Sequence, residues 1–220
     1  MAKKLIIFGT GDIGQIAKYY FDIDSDYEPV CFTLDGAYIK ETTFEGLPVV
    51  PFDEINERYS PIDHHLFIAL SYSQMNKLRA TKFEEAKSKG YSIASYISSK
   101  CTYLSQFKPG ENAFIFEDNT IQPFVKIGNN VTIWSGNHIG HHSVIEDHNF
   151  ISSHVVISGH CHIESFTFLG VNATLAHKVR IASGTLLGAG AIITKDTEPE
   201  GVYVPAKTTK LEKKSSHFKL

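Results

Sequence analysis

The chain has 220 residues, of which 42% are hydrophobic, and a formal net charge of -3 at pH 7. This length allows one large domain or two modest domains with buried cores, and the near-balanced charge argues against nucleic acid or an acidic membrane surface as a partner. Three cysteines without close spacing, Cys31, Cys101 and Cys161, favour reduced thiols in the cytoplasm over a disulfide framework.

No apolar run approaches the roughly 20 residues that a membrane-spanning helix needs. The N-terminal residues enter an apolar strand directly and lack the pattern of a secretory leader. We therefore expect a cytoplasmic protein that does not insert into membranes and whose partner is a small molecule or another protein.

The first predicted elements are a strand, a glycine-rich turn and a helix. An apolar run at 5–8 is followed by the turn at 9–14 and by helical spacing of apolar residues at 15–21. A second strand follows at 29–34. This order is typical of the start of a mononucleotide-binding βαβ unit.

Four residues of this segment are candidate ligands of a nucleotide. Gly9, Gly11 and Gly14 let the backbone approach phosphate closely, at a helix N-terminus that offers free N–H groups. Asp35, at the end of the second strand, can accept hydrogen bonds from a ribose or a base. The alternative is a tight turn between strand and helix that binds no ligand.

Further strands are predicted at 66–70 and 91–97, with a charged helix at 74–89 between them. A unit of about 100 residues is short for a complete dinucleotide fold with two mononucleotide halves. Hydride transfer is therefore disfavoured.

A strict six-residue period follows Lys108-Pro109-Gly110, the predicted junction between a small Rossmann-like α/β domain at 1–108 and a second domain at 109–220. Every sixth residue from Ile115 to Ile193 is Ile or Leu, and a column of smaller residues lies two positions earlier. This period is typical of a parallel β-helix of hexapeptide repeats, in which three short strands form one triangular coil. Both columns face inward, and residues eighteen apart lie one above another.

The stacking rule singles out one histidine among the many on these repeats. His141 precedes Gly159 by eighteen residues, so its imidazole projects one coil away, roughly 5 Å, from a backbone N–H that no side chain shields. Acyl transfer requires such a pair, because a neutral imidazole can remove a proton from the attacking group while an N–H stabilises the oxyanion. Solvated surface imidazoles are the alternative for any single histidine.

The same rule places His142 on His160, a pair from which a metal site can be imagined. Zinc usually needs a third protein ligand. Neighbours such as His148, His154 and His160 are spaced six apart and fall on different faces, so they do not converge within one chain. We therefore expect no metal, and a zinc-dependent carbonic anhydrase of this repeat architecture is a lower-ranked alternative.

The chain resembles the left-handed β-helix acyltransferases of bacterial surface-glycan biosynthesis, which acetylate nucleotide-linked amino sugars and have sialic acid O-acetyltransferases as close relatives. The resemblance spans nearly the whole chain. Its motifs are Leu5 to Gly14, Gly46-Leu47-Pro48-Val49-Val50 before Asp53-Glu54-Ile55, the six-residue repeats, Ile139-Gly140-His141-His142, and Gly201-Val202-Tyr203-Val204-Pro205-Ala206-Lys207.

This resemblance implies an acetyl-CoA-dependent N-acetyltransferase that acts on the amino group of a nucleotide-linked deoxysugar. His141 is then the general base, Gly159 supplies the oxyanion N–H, and coenzyme A lies between neighbouring subunits of a homotrimer. Glycines on the coils let the pantetheine arm approach, and basic residues of the tail are candidates for the phosphates of the coenzyme, with a solvated basic tail as the alternative. These residues are Gly170, Gly188 and Gly190, and then Lys207, Lys210, Lys213 and Lys214.

One residue departs from the family pattern. The family's histidine is usually followed by Asp or Glu, whereas this chain has His142. The carboxylate that orients the base then comes from Glu146, Asp147 or a neighbouring subunit, or it is absent. Two other functions stay open: O-acetylation of a sugar or sialic acid by the same residues, and a non-catalytic β-helix that binds a ligand.

Overall fold

A computed structural model describes residues 2–212 and 214–217. Its N-terminal unit is a six-stranded sheet with helices on both faces. The strands are Lys3–Phe8 (β1), Tyr27–Leu34 (β2), Thr43–Phe44 (β3), Leu47–Pro51 (β4), His64–Ile68 (β5) and Ser92–Ile93 (β6), and the α-helices are Asp12–Ile23 (α1), Ile55–Arg58 (α2) and Lys77–Ser88 (α3). Short 3-10 helices lie at Gly36–Tyr38 and Ser215–His217.

The strand order is β3-β4-β2-β1-β5-β6, and every pair is parallel except the β3–β4 hairpin. The central strand β1 is buried on both faces from Leu5 to Phe8, which explains its continuous apolar run. Phe21 of α1 packs in the core of one face, and Phe83 of α3 packs in the core of the other. The predicted parallel α/β unit is therefore confirmed.

Residues 96–203 form a parallel β-helix. Its two-residue strands are Tyr96–Ile97 (β7), Thr102–Tyr103 (β8), Phe114–Ile115 (β9), Thr120–Ile121 (β10), Lys126–Ile127 (β11), Thr132–Ile133 (β12), His138–Ile139 (β13), Val144–Ile145 (β14), Phe150–Ile151 (β15), Val156–Ile157 (β16), His162–Ile163 (β17), Phe168–Leu169 (β18), Thr174–Leu175 (β19), Arg180–Ile181 (β20), Leu186–Leu187 (β21), Ile192–Ile193 (β22) and Val202–Tyr203 (β23).

These strands form three sheets, and successive strands of each sheet are eighteen residues apart over the regular coils. The Ile and Leu column from Ile115 to Ile193 is buried throughout and forms one continuous hydrophobic core. The smaller column is buried as well, and its polar members form hydrogen bonds with backbone groups of the turns. Asn137 Oδ1, for example, accepts the backbone N–H of Val155 at 2.6 Å. The hexapeptide repeats and their inward columns are confirmed.

The coils begin earlier than the period in the sequence indicates. The single strand predicted at 91–97 is two strands: β6 completes the N-terminal sheet, whereas β7 pairs with β9 in the β-helix. Ser95 stands in the smaller column of this first coil, where its hydroxyl donates to Gly110 O at 3.0 Å and accepts the N–H of Ala113. Stacking therefore starts before the predicted junction at Lys108-Pro109-Gly110.

The helix predicted at 74–89 starts at Lys77, because Gln74, Met75 and Asn76 all adopt left-handed backbone conformations (φ 53°, 51° and 66°). Its first turn carries Arg79, which is 1% exposed and holds the two units together. No helix within 2–212 and 214–217 has the length and apolar character required to cross a membrane.

Candidate active site

The structure places His141 directly against Gly159, as the stacking rule predicts. Ile139 pairs with Ile157, so the two turns that follow these residues lie on adjacent coils. A methyl group at position 159 would lie 2.8 Å from Nε2 and 2.9 Å from Cε1 of the His141 ring. Only a glycine leaves room for the imidazole in this position, and Nε2 is the ring atom nearest to where that methyl group would lie.

The backbone around this contact suits an oxyanion site. Gly159 N–H has no hydrogen-bond acceptor within the described residues, whereas Gly159 O accepts the N–H of Lys178 at 3.1 Å. The N–H of His141 donates to Gln122 Oε1 at 2.8 Å, which fixes the turn that carries the imidazole. Gln122 lies nineteen residues before His141, so the eighteen-residue stacking rule does not indicate it, and its role depends on the direction of its side chain.

Three more imidazoles surround His141, and together they form the histidine cluster of His141, His142, His160 and His177. The rings of His142 and His160 stack at 4.8 Å with an interplanar angle of 8°, as predicted for residues eighteen apart. His141 packs edge-on against His160 at 5.1 Å, and His177 lies 6.4 Å from His141 and 5.4 Å from His160. Desolvation, then the neighbouring His142, His141 and His177, lower the pKa of His160.

The immediate partner of His141 is another histidine. Its Nδ1 lies 3.0 Å from Nδ1 of His142, so one of the two rings donates and the other accepts. Glu146 is bonded to His162 Nε2 at 2.7 Å and to Ser165, and Asp147 accepts the N–H of Asn129 at 2.6 Å. Of the possible sources of an orienting carboxylate, Glu146 and Asp147 make their contacts at another corner of the coils and form no hydrogen bond with His141 among the described residues.

The glycine-rich turn borders a cleft of about 660 Å³ at the carboxyl end of β1. Gly9 adopts a φ of +116°, and a methyl group at Gly14 would lie 2.1 Å from Gly9 O, so both glycines are required by the fold itself. Gly11 differs, because a methyl group there would meet no atom within 4 Å and its φ of -95° is open to any residue. The cleft leaves open space in front of Gly11.

Asp35 lies in the lining of the same cleft, but its carboxylate is not free. Lys82 Nζ donates to Asp35 Oδ1 and to Glu85 Oε2, both at 2.7 Å. The Lys82 side chain is 10% exposed and Asp35 is 38% exposed, so the carboxylate is held by the lysine while part of it faces the cleft. Tyr38, which is 70% exposed, lies at the same opening. The sequence indicated Asp35 but not Lys82 or Tyr38.

The glycines predicted to border the coenzyme divide into two kinds. A methyl group at Gly170 would lie 2.7 Å from Ala189 N, and one at Gly188 would lie 3.0 Å from Val204, so coil stacking alone explains both. Gly190 turns with a φ of +74° and has open space around it. Lys207 is exposed in a segment without regular secondary structure. Lys213 lies outside the described residues.

Comparison with known proteins supports this architecture. Residues 124–159 match the family model described as bacterial transferase hexapeptide (six repeats). No curated protein matches the chain. Among solved structures, the acetyltransferase domain of PglB from Neisseria gonorrhoeae FA1090 in complex with acetyl coenzyme A has a TM-score of 0.80 at 20% identity, over 93% of this chain and 97% of that one. This chain shares the fold of that acetyltransferase domain.

Two further structures show the same likeness. WeeI from Acinetobacter baumannii AYE has a TM-score of 0.78 at 19% identity, over 91% of this chain and 96% of that chain. PerB from Caulobacter crescentus, in complex with CoA and GDP-perosamine, has a TM-score of 0.64 at 19% identity, over 92% of this chain and 94% of that one. These matches show that the chain shares the fold of both proteins over most of its length.

Proposed function

We propose that this protein is an acyl-CoA-dependent N-acetyltransferase that acts on the amino group of a nucleotide-linked amino-deoxysugar. The observation that carries the proposal is that His141 Nε2 lies 2.8 Å from where a methyl group on Gly159 would be, next to a residue whose backbone N–H has no acceptor within the described residues. The PglB domain and PerB, which share the fold, are recorded with acetyl coenzyme A, and with CoA and GDP-perosamine. Those ligands support the same pair of substrates for this chain.

The reaction needs no covalent acyl-enzyme. The neutral amine of the sugar attacks the thioester carbon, the carbonyl oxygen becomes an oxyanion, and the C–S bond then breaks to release the thiolate of coenzyme A. His141 Nε2 accepts the proton that the amine nitrogen loses, and Gly159 N–H donates to the oxyanion. The proton finally reaches the departing sulfur, so charge and atoms balance.

His142 acts as the positioning residue for this base. When Nδ1 of His141 carries the proton and donates it to Nδ1 of His142 over 3.0 Å, the lone pair of His141 is on Nε2, beside Gly159. A carboxylate in this place performs the same orientation in the family that the chain resembles, but it also favours the charged imidazolium. His142 fixes the tautomer without adding a negative charge.

The N-terminal unit, assigned to residues 1–108, is proposed to be Rossmann-like and to bind the nucleotide of the sugar. The open space before Gly11 and the N-terminus of α1 suit a diphosphate, since first-turn N–H groups have no partners within the helix. Asp35, held by Lys82, is placed for a ribose or a base. Gly9 and Gly14 shape the turn.

The second unit, residues 109–220, is proposed to be a left-handed β-helix that binds the coenzyme between subunits of a homotrimer. Gly190 and Lys207 are the candidate contacts for the pantetheine arm and the phosphates, and Gly170 and Gly188 keep the adjoining coils close. Light scattering tests the assembly. A stable monomer with full activity would contradict a coenzyme site shared by two subunits.

Free thiols at Cys31, Cys101 and Cys161 agree with the expected cytoplasmic location.

The deciding experiment compares substitutions of the two adjacent histidines. UDP-, dTDP- and GDP-linked 4-amino-deoxysugars are offered with acetyl-CoA, and mass spectrometry of the product distinguishes amide from ester formation. We expect His141→Ala to lower turnover by roughly 100-fold or more while acetyl-CoA affinity stays nearly constant, since general-base catalysis contributes about 10²–10⁴-fold. His142→Ala should lower turnover by a smaller factor. The reverse order would show that the base assignment is wrong by one residue.

A further inference from the structure

The histidine cluster offers more than a base and its partner. Ring nitrogens of His141, His142 and His160 lie within 4.8 Å of one another, and all three side chains are exposed. The sequence predicted only the His142–His160 pair, which lacked a third ligand, because the direction in which His141 leans could not be known. We propose that these three histidines form a binding site for Zn²⁺, and that the ion inhibits the enzyme reversibly when it binds.

The geometry fits the coordination preferences of zinc. Zinc binds imidazole nitrogen at about 2.0–2.1 Å in tetrahedral sites, which places neighbouring nitrogens roughly 3.3 Å apart. The Nδ1 atoms of His141 and His142 are already 3.0 Å apart, and the ring of His160 stacks on His142 at 4.8 Å. Because the rings of His142 and His160 are parallel, at least one of them must turn before both lone pairs point at one ion, and both rings are exposed. Water can occupy the fourth position of an open site.

The ligands come from two adjacent coils whose backbones are fixed to each other. The N–H of His160 donates to His141 O at 2.9 Å, so the two turns that carry the three imidazoles are fixed relative to each other. Within the part of the chain that the structure describes, no carboxylate forms an ion pair with any of the three rings. His162, by contrast, is paired with the carboxylate of Glu146. A dication thus meets three imidazoles that no carboxylate of the described residues already holds.

Zinc binding would remove the catalytic lone pair. A neutral imidazole has one lone pair on one nitrogen and a proton on the other. If the ion takes Nε2 of His141, the base is blocked directly; if it takes Nδ1, the proton must sit on Nε2, where no lone pair is left to accept one from the amine. This inhibitory consequence depends on the proposed role of His141 as the general base, whereas zinc binding itself does not.

The test measures binding and activity separately, with untagged full-length protein freed of metal by a chelator. Calorimetry with ZnCl₂ should show one ion per chain, and CoCl₂ should give the visible absorption of tetrahedral cobalt. His160→Gln should weaken zinc binding by at least about 10-fold, the range seen when a ligand's support in a metal site is lost. His154→Gln, which changes an exposed histidine on the same repeats outside the three, is the matched control and should bind as the wild type does.

Zinc should suppress acetyl transfer by the wild type and by His154→Gln, and EDTA should restore it. His160→Gln should keep the activity that it has without zinc at zinc concentrations that inhibit the wild type. Absence of zinc binding, or equal affinity in wild type and His160→Gln, would overturn the site. Stoichiometric binding through His160 with undiminished acetyl transfer would uphold the site and overturn the inhibition, together with the assignment of His141 as the base.

Discussion

The contact between Gly159 and His141 can be tested by adding one methyl group. In Gly159→Ala the new carbon would lie 2.8 Å from His141 Nε2 and 2.9 Å from Cε1, and the third-nearest atom, at 3.2 Å, also belongs to this ring. Ordinary contacts between such atoms lie at about 3.5–4.0 Å. The imidazole must therefore retreat by roughly 0.7 Å, while the backbone and its N–H keep their places.

A displacement of this size should be costly for a positioned base. A misplacement of about 1 Å can cost on the order of 100-fold in rate, so we expect Gly159→Ala to lower kcat by about 10- to 100-fold, or about 1.4–2.7 kcal/mol in the activation barrier. Release of the coenzyme A thiol, followed with a thiol-reactive dye, measures the rate. The melting temperature and the dissociation constant for acetyl-CoA should change little, because the methyl group meets the ring first.

A double-mutant cycle separates displacement of the ring from damage to the backbone. In a His141→Ala background the methyl group has no imidazole to displace, so Gly159→Ala should change the residual rate by no more than about twofold, a sign of strong coupling between the two sites. If the methyl group costs the same factor in both backgrounds, its effect comes from the oxyanion backbone. If it costs nothing in the wild type, the contact has no catalytic importance.

Three further substitutions test other parts of the structure. Gly11→Val fills the open space before the loop and should raise the KM for the nucleotide-sugar strongly without changing the dissociation constant for acetyl-CoA; unchanged sugar binding would favour a purely structural turn. Asp35→Ala should raise the same KM more mildly, since Lys82 keeps Glu85 as a partner. Burial lowers the pKa of His148 in the folded state, so its contribution to stability is present above about pH 6.5 and is lost as the pH falls below it. His148→Gln should reduce the fall in melting temperature between pH 7.5 and 5.5, and an equal fall in the wild type and the variant would refute the assignment.

The regular part of the fold could be read from the sequence because each repeat carries its own signal. A residue every six positions must fill the interior of a triangular coil, so Ile and Leu recur from Ile115 to Ile193 without exception. The same arithmetic predicts which residues stack, and it placed His141 on Gly159 and His142 on His160 correctly. Short-range periodicity thus determines long-range contacts, which is unusual outside repeat proteins.

The sequence does not reveal the first coil, because that coil breaks the six-residue apolar period. The positions eighteen residues before Ile121 and Ile127 hold Tyr103 and Pro109, so the apolar column does not continue upstream, although β8 pairs with β10 in register. Side-chain directions were the other missing information. The contact between the Nδ1 atoms of His141 and His142 and the bond from His141 N–H to Gln122 depend on rotamers that no column of residues specifies.

Arg79 restricts the exchange of either structural unit of this protein for the corresponding unit of a related protein. Its guanidinium, whose pKa burial lowers to about 9, donates to Asn130 Oδ1 and O, to Asn149 O, and to the carbonyls of Leu70 and Ser71. One buried cation thereby ties a loop of the first unit to two successive coils of the second. A chimera that takes its first unit from a relative must therefore also take the coils around Asn130 and Asn149, or leave an uncompensated charge or unpaired carbonyls in its interior. Exchange of the first unit between related proteins should therefore succeed only when the coils that contain Asn130 and Asn149 are transferred with it.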